Sequence, residues 1–236
     1  MSNAPLLSVS GLTKSFGSIA AISDVSFTVQ RGEILGLIGP NGAGKTTLFE
    51  CLAGVLPPNA GEVTATAGEA LVERDRSLLI FYMPDGIRPY AEQTVRWVLD
   101  FVAGFFSGDA AEIPFLIDAL QLTPLLHKRV GTLSKGQAKR TLLAMALLTP
   151  QPVLMIDEPF DGLDLRQTRD AAAALREQAK KGRTIFLSIH QIADAARVCD
   201  RLVLLSGGTV RGEGTPAGII AGSGATDLEG AFLALT

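Results

Sequence analysis

A chain of 236 residues is long enough for one large domain, or for one domain with a lobe inserted into it. With 47% hydrophobic and 19% charged residues it is not a disordered or fibrous protein. A net charge of −3 supplies no basic field for phosphate neutralisation, so no nucleic-acid partner is expected.

From the N-terminus, the first residues lack the basic-then-apolar order of a signal peptide. Leu7 to Val29 reads as short strands, with alternation clearest in Val25 to Val29. Ile34 to Ile38 is a continuous apolar run that ends in a glycine-rich turn and passes into a helix over Lys45 to Leu52. Thr94 to Leu148 reads as almost entirely helical, with a loop at Ser107 to Glu112 and breaks at Pro114 and Pro124. Val153 to Ile156 and Thr184 to Ile189 are two further buried-strand patterns, each leading into a helix. After Arg201 come a strand, a Gly-Gly turn, a short strand at Thr209 to Arg211 and two short helices. Buried strands alternating with helices predict an α/β fold with a mainly parallel sheet, whose ligands lie beyond the strand C-termini. The expectation is one domain over 1–236, with a helical subdomain at about 88–150 inserted into its core. The richest apolar stretch, Leu142 to Ile156, is interrupted by Thr149 to Pro152, and no run approaches the roughly 20 residues of a membrane span. Cys51 and Cys199 lack the spacing of a zinc site or disulfide framework, which fits a reducing compartment.

Three motifs carry chemistry. Gly39-Pro40-Asn41-Gly42-Ala43-Gly44-Lys45-Thr46-Thr47 fits GxxxxGK[ST] between a buried strand and a helix. Its glycines let the backbone wrap phosphate oxygens, Lys45 supplies a cation, and the Thr46 hydroxyl is a ligand for Mg²⁺. Val153-Leu-Met-Ile-Asp157-Glu158 delivers two carboxylates to the sheet edge: Asp157 to hold the Mg²⁺ shell, Glu158 to orient and polarise the attacking water. Leu133-Ser134-Lys135-Gly136-Gln137 precedes an amphipathic helix over Ala138 to Leu148, for which Ser134 is a natural N-cap.

In this order and context the last motif resembles the LSGGQ signature of ABC ATPases, and the resemblance runs along nearly the full length. It implies a P-loop NTPase core with an N-terminal antiparallel β subdomain and an inserted helical lobe. It also implies an ATP-binding and hydrolysing subunit that powers a multi-span membrane permease, placed in the cytoplasm against the inner face of the membrane. Two such subunits, identical or not, pair head to tail. Ser134, the backbone of Gly136, and Gln137 then serve the nucleotide held by the other subunit's phosphate loop. Phe16 matches the aromatic that stacks on adenine, and His190 the histidine that contacts the γ-phosphate. Phe160 to Asp164 matches the loop that crosses the dimer interface, with Asp164 as its acid. Three positions depart from the family pattern: Lys135 for the first signature glycine, Asp161 for a common serine, and Asp85 for a glutamine. Asp85 is shorter and charged but is still able to approach Mg²⁺. The aromatics between Tyr90 and Phe106 either dock a partner or fill the lobe's core. The LSKGQ variant and short loops are more like exporters of the ABC-2 kind. Soluble relatives in translation or DNA repair usually add a second ATPase domain, coiled coils or basic segments, none of which stands here. A binding-only sensor would not need Lys45, Asp157, Glu158 and His190 together, and a GTPase would carry an NKxD-like segment.

Overall fold

The computed structural model describes residues 5–65, 73–106 and 111–236. β1 (Leu7–Phe16) and β2 (Ile19–Val29) form an antiparallel hairpin whose alternating Leu7, Val9 and Leu12, with Ile22, Val25 and Phe27, are buried. β3 (Ile34–Ile38) is buried at every position, as a strand covered on both faces must be, and leads into α1 (Lys45–Ala53). β4 (Ala60–Ala65) returns to the first sheet and completes the antiparallel order β2-β1-β4. After α2 (Glu73–Leu79), β5 (Ile80–Met83) enters a second sheet.

The chain then leaves that sheet for α3 (Val95–Phe105), α4 (Glu112–Ala119) and α5 (Lys135–Leu147), and returns as β6 (Val153–Asp157) beside β5. It continues through α6 (Leu165–Lys180), β7 (Thr184–Ile189) and α7 (Ile192–Val198) to the antiparallel hairpin β8 (Arg201–Ser206) and β9 (Thr209–Gly214). α8 (Pro216–Ser223) and α9 (Leu228–Leu235) close the chain. The second sheet has the order β5-β6-β7-β3-β8-β9, and its first five strands are parallel. β6, β7 and β3 are therefore neighbours whose C-terminal ends share one edge, with Ile38 opposite Ile189 and Asp157 opposite Ser188. That edge is where a parallel sheet binds its ligand. Among the described residues no helix is long and apolar enough to cross a membrane.

Between β5 and β6 the expected near-continuous helix is corrected. Pro114 lies in the first turn of α4, where its missing N–H breaks no intrahelical bond, so it does not end the helix. Residues 120–134 are mostly turns, with 3₁₀ segments at Thr123–Leu125 and Val130–Thr132 and a bridge pairing Thr94 with Arg129. Of the loop expected at Ser107 to Glu112, residues 107–110 lie outside the described residues and Glu112 already begins α4. α5 is buried at every position from Ala138 to Leu147, and Arg140 clasps the end of α4 by donating to the carbonyls of Leu120 (2.9 Å) and Gln121 (3.0 Å).

Candidate nucleotide site

The loop from Gly39 to Gly44 turns the chain from the end of β3 into α1. Gly44 caps that helix at φ 100°, and a Cβ there would stand 2.4 Å from the carbonyl oxygen of Ala21, so a side chain is excluded by both conformation and space. Lys45 is buried, and its Nζ donates to the carbonyls of Gly39 (2.8 Å) and Pro40 (3.2 Å), which holds the ammonium over the loop. The first amides of α1 have no intrahelical acceptor and carry the positive end of the helix dipole. A cavity of about 330 Å³ opens here, bounded by Asn41, Lys45, Thr46, Thr47, Asp85, Asp157 and Glu158.

Asp157 ends β6, is buried, and is held from two sides. Its Oδ2 accepts from Thr46 Oγ1 at 3.0 Å and its Oδ1 from Ser188 Oγ. The Ser188 hydroxyl in turn accepts from the backbone N–H of Glu158 at 3.0 Å. Among the described residues no group of three or more His, Cys, Asp or Glu is arranged to hold a metal alone. Paired hard oxygens from Thr46 and Asp157 suit a cation such as Mg²⁺, which takes one or two protein ligands and fills its shell with water and phosphate.

Glu158 adopts φ 50°, a left-handed conformation uncommon for a residue with a side chain. It bounds the cavity beside the Gly39–Gly44 loop and also a second one of about 340 Å³, which His190, Asn41 and Asp161 line as well. Burial pushes its carboxyl above the usual carboxylate range; Lys45 opposes the shift and Asp157 adds to it. His190 follows β7 and is exposed in that second cavity.

At the start of α5 the exposed Ser134 accepts from the N–H of Gln137 at 3.4 Å, and Gln137 Oε1 accepts from the N–H of Ser134 at 3.1 Å. α6 begins with the same capping box, built from Asp164 and Gln167. The two helix starts are fastened together. Lys135 Nζ reaches Asp161 Oδ2 at 2.5 Å, and a Cβ on Gly136 would stand 2.5 Å from the carbonyl oxygen of Gly162. The Lys135 and Asp161 departures thus answer each other. Ser134, Gly136 and Gln137 bound neither cavity, and neither does Phe16, which stands 52% exposed at the end of β1 with Lys14 Nζ 5.6 Å above its ring.

A sequence profile of the family described as ABC transporter matches residues 22–161. A Nod factor export ATP-binding protein I from Bradyrhizobium diazoefficiens is 37% identical over 218 residues, covering 89% of this chain and 70% of that one. The chain belongs to the ABC transporter family. An uncharacterized ABC transporter ATP-binding protein from Methanocaldococcus jannaschii is 32% identical over 208 residues, 86% of this chain and 75% of that one. The solved ATP-binding subunit of an ABC transporter superimposes with a TM-score of 0.87 at 32% identity, over 98% of this chain and 99% of that one. Part of a bacterial Atm1-family ABC exporter with ATP bound shares the fold, with a TM-score of 0.80 at 19% identity over 94% of this chain and 40% of that one.

The protein is therefore an ATP-binding and hydrolysing subunit of an ABC transporter, and a role in translation or repair is not favoured. Within this ABC ATPase, Asp85 bounds the phosphate cavity, but its Oδ1 is taken by Lys139 Nζ at 2.5 Å. Neither Lys139 nor Ser188 stands out in a single sequence. Ser188 is one of two hydroxyls in a mostly apolar strand, two residues before His190 and in register with Asp157, and that register is visible only once β6 and β7 are paired. Ser188→Ala is expected to lower stability by about 1–3 kcal/mol, because it strands a buried oxygen of Asp157 and the half-buried Glu158 N–H. Turnover should fall with it; a thermal unfolding midpoint and kcat both equal to the parent's would remove Ser188 from the network.

Proposed function

We propose that this ABC ATPase hydrolyses ATP at composite sites, each made from the phosphate loop of one subunit and the Ser134 cap of a second. The observation that carries this is the chain Thr46–Asp157–Ser188–Glu158, which ties a metal-suited oxygen pair to the backbone N–H of Glu158, whose carboxyl of raised pKa stands beside the lysine-bearing cradle. Mg²⁺ held by Thr46 and Asp157 would neutralise charge on the β- and γ-phosphates. Lys45 and the α1 amides bind those phosphates, and Phe16 stacks on the adenine. Glu158 takes a proton from water as the water oxygen bonds to the γ-phosphorus; the bond to the bridging oxygen breaks, leaving ADP and phosphate. His190 fixes the γ-phosphate from the second cavity. Ser134, exposed and lining neither cavity of its own subunit, covers the γ-phosphate of the other subunit, as does the positive start of α5. ATP joins the two subunits and hydrolysis frees them.

The membrane partner docks on the outward face of α3. There Trp97 and Phe101 stack at 4.9 Å, Tyr90 packs edge-on to both, and Phe105 is 70% exposed. An apolar groove of about 260 Å³ runs beneath them, lined by Ile87, Pro89, Phe101 and Met145, so the loop that carries Asp85 also forms its wall. An apolar segment of the permease fits this groove and holds the subunit at the inner face of the membrane. The relatives named for Nod factor export and the Lys135-bearing signature support export.

The pH profile tests the role of Glu158. A raised pKa means that the carboxyl keeps its proton at a higher pH than an ordinary carboxylate, and a bound triphosphate pushes the same way. The base form is lost as pH falls through that raised value, so kcat should show an acid limb above the usual carboxylate range. The residual rate of Glu158→Gln should lack that limb. If the limb persists in the variant, Glu158 is not its source.

A further inference from the structure

Lys139 stands five residues into α5 with its side chain 3% exposed, yet it carries a charge. A buried ammonium needs a counter-charge at hydrogen-bond distance, and it finds Asp85 at 2.5 Å. Asp85 follows β5 at the edge of the cavity that Lys45, Thr46, Asp157 and Glu158 also bound. That cavity therefore has three carboxylates around the place proposed for a triphosphate; among the described residues Lys45 is the cation on its wall, and Lys135 is near enough to act on Asp85 and Glu158. Like charges gathered around one cavity repel more strongly where the dielectric is below that of water.

We propose that Lys139 is a positioning residue for the nucleotide site: it cancels the charge of Asp85 and draws that carboxylate toward α5, away from the metal and the γ-phosphate. The Asp85–Lys139 pair then contributes no net charge to the wall of that cavity. It also joins the loop after β5 to the helix whose first residues are the Ser134 cap, so the wall of one subunit's cavity and the cover offered to the other belong to one fastened unit. This rests on reading the cavity as the ATP site.

Calorimetric titration of the purified protein with MgATP, at low and high salt, tests it. Lys139→Met should raise the Kd for MgATP about tenfold at low salt, because it leaves Asp85 uncompensated, and the defect should shrink as salt is added. Lys139→Met with Asp85→Asn should return the Kd to within about twofold of the parent, since both charges are gone. Lys139→Gln, which keeps a hydrogen bond without the charge, stands in if the methionine variant does not fold, and should show the same salt-sensitive defect. A lowered unfolding midpoint with an unchanged Kd would make Lys139 purely structural and overturn the proposal. So would a double variant as weak as the single one. Tighter MgATP binding by Lys139→Met with a lower Mg²⁺ requirement would instead make Asp85 a metal ligand that Lys139 restrains. Absence of MgATP binding by the parent protein would overturn the ATP-site reading itself, whatever Lys139 does.

Discussion

Glu158→Gln is expected to reduce phosphate release by at least about a hundredfold, the usual contribution of a positioned base, while ATP binding is kept or tightened. The substitution preserves shape and so leaves the strained backbone at φ 50° and the N–H bond to Ser188 in place. It deletes the carboxylate that burial has poised to accept a proton. It also removes one negative charge from beside the triphosphate, which favours the bound state. Because ATP would join the two subunits and only hydrolysis would part them, the variant should run as a dimer in gel filtration with MgATP and as a monomer without it. Parent-level turnover in this variant would take Glu158 out of the chemistry.

Much of the frame was legible because it is written in local pattern. The runs Ile34–Ile38, Val153–Ile156 and Thr184–Ile189 carry no charge and, apart from the hydroxyls of Thr184 and Ser188, no polar side chain, so they become the central buried parallel strands β3, β6 and β7. Each run ends in its chemical residues, and parallel pairing brings those ends to one edge. β4 and β5 were not legible. β4 is Gly- and Ala-rich and half exposed, and β5 has only four residues directly after a helix, too few to show a period.

What the pattern leaves open is contact between segments far apart in sequence. Lys139 and Asp85 are 54 residues apart, and Lys135 and Asp161 are 26 apart. Met83-Pro84-Asp85 alone looks like a misplaced acid, and Lys135 alone like a stray cation. Only the fold shows that each charge has a partner. The aromatics of α3 were ambiguous for a different reason. Val95, Val98, Leu99, Val102 and Ala103 fill the core by themselves, so Trp97, Phe101 and Phe105, spaced four apart, turn outward as a separate stripe.

The head-to-tail pairing is the claim on which the rest depends, and mixing two inactive variants tests it most directly. Lys45→Ala removes the cradle's cation, and Ser134→Phe blocks the cap without touching the cradle, since Ser134 bounds neither cavity. Each variant alone should have lost nearly all turnover, because every site in its dimer lacks one half. In an equal mixture, half of the dimers contain one copy of each, and one of their two sites joins an intact cradle to an intact cap. The mixture should therefore recover roughly a quarter of parent activity per subunit. Recovery should depend on protein concentration, as association does. If the mixture stays as inactive as its components, or if Ser134→Phe alone hydrolyses ATP at the parent rate, then each subunit works by itself and the shared site is contradicted.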